Sequence, residues 1–125
     1  MSRTKIVSEQ APPPAGPYSQ AVVVRGLAFL AGQGPFDERG QRVGETFADQ
    51  VHRTFQNLEA VALAAGSSLH RAVRIGVYLR NLDDFAEFNE LAQDYLVEPY
   101  PARTTIEAAL RGFDIEIDAI VSVAD

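Results

Sequence analysis

Ala21-Val22-Val23-Val24-Arg25-Gly26-Leu27-Ala28-Phe29-Leu30-Ala31 is the stretch whose reading decides the fold. Two apolar runs of β-forming residues are joined by two residues ending in Gly, the spacing of a tight hairpin. Both runs are nearly continuous in apolar character instead of alternating, which predicts strands covered on both faces.

Before the hairpin, Lys5-Ile6-Val7 reads as a short strand, and the proline-rich segment from Ala11 to Pro17 as an extended loop. After it comes a polar, Gly-containing loop, Pro35 to Gly44. A helix is expected from Thr46, with Thr46 as N-cap and Asp49 in the first turn. Phe47, Val51, Phe55 or Leu58, Ala62 and Ala65 mark its apolar face, and Gly66 is a fitting stop. Val73, Ile75, Val77 and Leu79 alternate with Arg74, Gly76 and Tyr78, the period of a strand. Asp83 or Asn81 caps a second helix, whose apolar face is Phe85, Phe88, Leu91 or Ala92, and Tyr95, and Pro99 ends it. Thr104 to Leu110 and Ile115 to Val123 are the last two strands.

The order ββ(β)-α-β-α-ββ describes an α+β layer fold in one domain spanning residues 1–125. Two helices cover one face of such a sheet. The face left over needs a partner, and a second copy of the chain is the simplest one. The pattern therefore predicts an oligomer without fixing the number of subunits.

Composition narrows the function. With 46% hydrophobic and 22% charged residues, the chain has an ordinary globular mix and disorder is not expected. No apolar run is long enough to span a bilayer and no basic-then-apolar leader opens the sequence, so a cytoplasmic protein is expected. The absence of cysteine removes disulfides, thiolate catalysis and Cys-based metal sites together. A net charge of −6 lacks the electrostatic footprint of a nucleic-acid binder. An anionic ligand would have to be small and held by a local arginine against an unfavourable global field.

That arginine is suggested by Pro99-Tyr100-Pro101-Ala102-Arg103-Thr104-Thr105, just ahead of Ile115-Glu116-Ile117-Asp118. The prolines force extended backbone, which places Arg103 at the mouth of a strand. Its planar fork suits a carboxylate or phosphate. Glu116 is expected on a neighbouring strand, where the pair reads either as ordinary cross-strand partners or as a site that holds a small acid and places a water beside it. Other residues offer less. His52 and His70 lack metal-ligand spacing, and His52 reads as lying on an exposed helix face. Ser19 and Thr104 lack a triad arrangement. Gly32-Gln33-Gly34 matches no phosphate-loop pattern and reads as a strand end. Asp118 shares a face with Glu116 and reads as a structural or interface carboxylate. Tyr18 reads equally as packing or as a cleft wall.

Five motifs in order carry a resemblance over essentially the full length: Gly16-Pro17-Tyr18-Ser19-Gln20-Ala21, Ala31-Gly32-Gln33, Phe88-Asn89-Glu90, Pro101-Ala102-Arg103 and Ile115-Glu116-Ile117. The chain resembles the reactive intermediate deaminase (RidA/YjgF) family. The resemblance implies a chorismate-mutase-like α+β fold with a mixed sheet and two helices on one face. It also implies a homotrimer with a central barrel and active clefts between subunits, and hydrolysis of enamine or imine intermediates such as 2-aminoacrylate or 2-iminobutyrate to 2-keto acids and ammonia. It implies no cofactor and no metal. Arg103 matches the arginine that grips the substrate carboxylate, and Glu116 the carboxylate that positions the hydrolytic water. Tyr18, Gly32, Asn89 and Thr105 match positions lining the cleft, as does Ala31, although the family's best-known members have Ser at Ala31 and Cys at Thr105. The turn near Arg111-Gly112-Phe113 is shorter than theirs. The Ala31 departure keeps open a relative specific for another enamine or imine acid (aminomuconate-like or aminoacrylate-like); two further readings are a non-enzymatic 2-keto-acid sensor and a ribonuclease, a label some relatives carry. Retention of both Arg103 and Glu116 favours catalysis over sensing, and the acidic balance speaks against the ribonuclease.

Overall fold

The computed structural model describes residues 2–123. Six strands form one mixed sheet: β1 (Thr4–Ile6), β2 (Ala21–Val24), β3 (Leu27–Gln33), β4 (Ala72–Leu79), β5 (Ala102–Glu107) and β6 (Ile115–Ser122). Two helices, α1 (Phe47–Ala64) and α2 (Phe85–Ala92), complete the chain with short 3₁₀ turns at Leu69–Arg71 and Leu82–Asp84. The strand order is β1-β2-β3-β6-β4-β5, antiparallel except for the parallel pair β4 and β5.

Local chemistry explains most boundaries. Arg25 and Gly26 both adopt left-handed backbone (φ 52 and 76), as a two-residue hairpin turn with the sheet's twist requires. Thr46 caps α1 by accepting the Asp49 N–H at 3.1 Å, and Gly66, at φ 80, turns the chain away after it. Asn81 caps the 3₁₀ turn before α2, accepting from the Asp83 N–H at 2.8 Å, while Asp84 at the start of α2 makes no side-chain cap. Pro99, which follows a cis peptide, lies beyond α2, which ends at Ala92. Phe88 and Ala92 are the buried residues of α2; Phe85 is 41% exposed and Tyr95 falls past its end. The strand expected at Thr104–Leu110 runs instead over Ala102–Glu107.

The core lies between one sheet face and the helices. Val51, Phe55, Leu58, Val61 and Ala62 of α1 and Phe88 of α2 meet Ile115, Ile117, Ala119 and Val121 of β6 and Ile75, Val77 and Leu79 of β4. Phe55 stacks between Phe88 and Tyr95, with ring centroids 6.0 and 4.6 Å away. The opposite face carries no helix. There the expectation of fully covered hairpin strands fails for the single chain: Ala28 and Leu30 are buried, but Phe29, which points the other way, is 42% exposed. Val22, Val24, Leu27 and Ile120 on that open face are half-buried. Among the described residues, no helix is long and apolar enough to cross a membrane, and no group of three or more acidic or His side chains is placed to hold a metal ion.

Candidate functional site

Arg103 is the second residue of β5, at the strand mouth where the prolines were expected to place it. Its register partner is Ile75, so its side chain leaves the sheet on the helix-covered face. The guanidinium lies over the rings of Phe85 and Phe88, 5.4 Å from each centroid. Partial burial there pulls its pKa down from the ordinary value. Arg103 and Asn89 open into one hollow of about 260 Å³, whose other walls are Ile75, Ala92, Gln93, Leu96, Tyr100 and Pro101. Asn89 Oδ1 is buried and has no hydrogen-bond partner among the described residues. Thr105, two residues past Arg103 on the same face, has its Oγ1 in the same condition. Two orphaned oxygens, one in the hollow and one two residues along β5 from Arg103, are polar capacity that a bound molecule would use.

Glu116 sits elsewhere. It pairs across with Tyr78 on β4, on the open face. The expectation that Arg103 and Glu116 occupy neighbouring strands is therefore wrong in two ways: β4 lies between β5 and β6, and the two side chains leave opposite faces of the sheet. Consecutive strands are adjacent by default, but here β6 antiparallel and β5 parallel flank β4 from either side.

What holds Glu116 is a gap made by Gly32. The register of β3 against β6 shifts between Leu30 and Gln33, a bulge that lets the Glu116 carboxylate lie on the β3 backbone. A Cβ on Gly32 would fall 3.0 Å from the carboxylate carbon of Glu116, inside the range that real contacts avoid. Burial first, and the nearby Asp118 charge second, push the Glu116 pKa up from its ordinary 4.5. Among the described residues no cation pairs with it. Gly32 and Glu116 share a second hollow, about 240 Å³, with Tyr18, Gln33, Phe36 and the prolines Pro12 and Pro13. Tyr18 is 52% exposed, and its hydroxyl accepts the Ala15 N–H at 3.1 Å, so it is a wall of this hollow rather than core packing. Ala31 is half-buried on the open face and donates its N–H to the Gln20 carbonyl at 2.9 Å.

The candidate residues thus fall into two half-sites, Arg103 with Asn89 and Thr105 on the covered face, and Glu116 with Gly32 and Tyr18 at the open one, with Ala31 beside them. Sequence reasoning missed the supports. Gln20, 4% exposed, ties the loop that walls the second hollow: its Nε2 donates to the Ser8 and Pro12 carbonyls at 3.1 and 2.9 Å. Asn57 on α1 donates to the Gly34 and Phe36 carbonyls at 3.0 and 2.8 Å, fixing the chain beyond the bulge. A polar residue at an otherwise apolar helix position was the available signal for Asn57. His52, expected on an exposed helix face, is half-buried instead, and its Nδ1 meets the Tyr95 hydroxyl, which brings that residue's ring over the helix. His70 is exposed and lines neither hollow.

Comparison with known proteins bears on the family and the fold. The endoribonuclease L-PSP family model matches residues 8–123. A RutC family protein of Pyrococcus abyssi is 42% identical over 123 residues, 96% of this chain and 97% of the relative. A 2-iminobutanoate/2-iminopropanoate deaminase of Dermatophagoides farinae is 34% identical, with 98% and 99% of the two chains covered. The crystal structure of RidA from an Antarctic Psychrobacter superposes with a TM-score of 0.89 at 38% identity, covering 96% of this chain and 99% of that one. The six-stranded mixed sheet with two helices is the fold these proteins share, and the chain belongs to the RidA/YjgF family, the one matched by the endoribonuclease L-PSP model.

Proposed function

We propose that the chain is a hydrolytic deaminase of reactive enamine and imine acids, of the 2-aminoacrylate or 2-iminobutyrate type, releasing 2-keto acids and ammonia. We take it to act in the cytoplasm as a homotrimer with its active sites between subunits. The observation that carries this reading is Glu116: a half-buried carboxylate with a raised pKa, backed onto Gly32 in an open hollow beside Tyr18. Such a group is a stronger base than a solvated carboxylate. The relative named as a 2-iminobutanoate/2-iminopropanoate deaminase supports the substrate class.

Division of labour follows from the two half-sites. Arg103 grips the substrate carboxylate bidentately, converting an encounter into a placed complex. Asn89 Oδ1 accepts from the substrate's N–H, and the Thr105 hydroxyl has a hydrogen bond to give. The imine enters protonated on nitrogen by solvent. Glu116 of a second copy, brought against the Arg103 hollow, takes a proton from water as that water adds to the C=N carbon. It passes this proton to the carbinolamine nitrogen, and ammonia leaves as the carbonyl forms; the hydroxyl proton goes to Glu116 and back to solvent. The balance is one imine and one water in, one keto acid and one ammonia out. The half-exposed apolar strip of Val22, Val24, Phe29 and Ile120 is the contact surface for the neighbouring copy.

The experiment is a coupled assay. A PLP-dependent dehydratase or an amino-acid oxidase generates the imine, and keto-acid release is followed with and without the protein. Arg103→Ala and Glu116→Gln are each expected to be inactive alone. Refolded together, they should regain about a quarter of wild-type turnover, since random mixing leaves that share of inter-subunit sites with both native halves. No recovery in the mixture refutes the divided site. Keto-acid binding without any turnover in wild type assigns the chain to the sensor class instead.

A further inference from the structure

On the open face, Asp118 lies two residues from Glu116 and so on the same side of β6. Three donors converge on it. The Gly76 N–H reaches Oδ1 at 3.0 Å, the Tyr78 hydroxyl reaches Oδ2 at 2.9 Å, and Arg74 Nη1 stands 3.8 Å from Oδ1. Gly76 is the cradle: a Cβ there would stand 2.5 Å from Asp118 Oδ1 and 3.2 Å from both Arg74 Nη1 and the Tyr78 hydroxyl. A side chain at position 76 would force the Asp118 carboxylate out of this place. Tyr78 is also the register partner of Glu116, so the cluster is anchored to the strand that faces the base. A carboxylate built into a glycine gap with three donors is held in one place, unlike an exposed surface acid.

We propose that Asp118 is a positioning residue for Glu116, a fixed anion bracketed by Arg74 and Tyr78 that makes Glu116 a stronger proton acceptor. The proposal rests on the assignment of Glu116 as the base, and it adds a residue that acts only through Glu116. The surroundings fit. From β4, Glu116 is faced by Tyr78 and, further along, Arg74. From β3 it is faced by Leu27, Phe29, Ala31 and Gly32, none of them titratable. The loop before β2 brings Tyr18, and the 35–44 loop presents Phe36 and Gly40 to the hollow. Arg80, just past β4, is exposed. Asp118 is thus an anion with a fixed position on the same strand face as the base. In support, the Asp118 charge adds to burial in raising the Glu116 pKa, and the hydrogen bond to Asp118 is the first cause that raises the Tyr78 phenol.

The test is a carbon-13 titration of the Glu116 side-chain carboxyl in the full chain. Two residues along a strand are about 7 Å apart, so even at the dielectric of water the pair repulsion is worth about a threefold change in the proton-dissociation constant, and more where water is excluded. Asp118→Asn and Asp118→Ser, two neutral replacements of different size, should each move the midpoint to lower pH by at least that factor. Tyr78→Phe keeps the charge and should leave the midpoint where wild type has it. An unmoved midpoint in the neutral variants overturns the proposal, as does an equal fall in Tyr78→Phe. The titration needs no turnover, which separates this idea from the deaminase reading. A displaced midpoint in a chain that hydrolyses no imine retires the deaminase and leaves the bracket standing. Turnover with an undisplaced midpoint does the reverse.

Discussion

Gly32→Ala is the substitution that most directly probes the base. Gly32 does not use left-handed backbone, so alanine fits the main chain without strain. The added methyl carbon would instead fall 3.0 Å from Glu116 Cδ and 3.1 Å from Cγ, closer still to Oε2. Carbon atoms settle at about 3.5–4.0 Å, so the carboxylate must retreat by roughly 0.5–1 Å. It can, because it is the far end of a flexible side chain bordering an open hollow. The fold should therefore lose only about 1 kcal/mol, the low end of overpacking. Catalysis should lose far more: a displacement of about 1 Å at a reacting group is worth on the order of a hundredfold, or ~2.7 kcal/mol of transition-state stabilisation. Turnover in the coupled imine assay and thermal unfolding of the same preparation give the two numbers. A variant within about threefold of wild-type turnover would show that Glu116 need not lie where Gly32 lets it lie, and the base assignment would fall with it.

Three further outcomes are expected. Arg103→Lys should bind 2-keto acids at least about tenfold more weakly by calorimetry, since a point charge forfeits one of the two charge-assisted hydrogen bonds of the fork. Asn57→Leu should lower stability by about 2–4 kcal/mol in urea unfolding, because the Gly34 and Phe36 carbonyls lose their donor; an unchanged midpoint would mean that water replaces the amide. The sign for Glu116 is set by its raised pKa. The folded state binds its proton more tightly than the unfolded chain, so that stability is present below about pH 4.5 and is lost as pH rises through the folded value. Glu116→Gln should therefore match wild-type stability in acid and exceed it at neutral pH, and a variant equally stable relative to wild type at both would show that burial of the carboxylate carries no penalty.

Much of the fold was legible because its signals are local. Arg25-Gly26, Thr46 with Asp49, and Gly66 each fix a turn or a helix end within a few residues, and all three do so in the structure. The alternation along β4 and β6 assigned their buried faces except at Val73, which is 48% exposed where the β4–β6 register shifts between Ala72 and Arg74. What failed was non-local. His52 finds Tyr95 across 43 positions of sequence, and nothing in the helix that carries His52 announces that partner. The bulge opposite Glu116 depends on how β3 registers against a strand near the other end of the chain. Covering of the hairpin was read from apolar content, which is right about the chemistry of both faces but silent on which of them this chain covers by itself.

Arg103 and Glu116 illustrate the same limit with a functional consequence. Arg103 was placed at a strand mouth and Glu116 on a strand from local signals, and the consequential error lay in their relation. Had β5 paired with β6, the two side chains would have met as cross-strand neighbours and one chain would have held a whole site. Insertion of β4 between them, with Arg103 registered to Ile75 and Glu116 to Tyr78, sends the cation and the base to opposite faces. No side-chain rotation takes either through a sheet whose middle is filled by Ile75, Val77 and Ile117. If both groups act on one small molecule, they must come from different copies. The uncovered apolar face then has a use that packing alone does not give it. The assembly that buries Phe29 and Ile120 is the one that would carry Glu116 to another chain's Arg103, so a substitution such as Phe29→Asp should abolish oligomer and turnover together. Loss of the oligomer with turnover intact would return the site to a single chain and undo the argument.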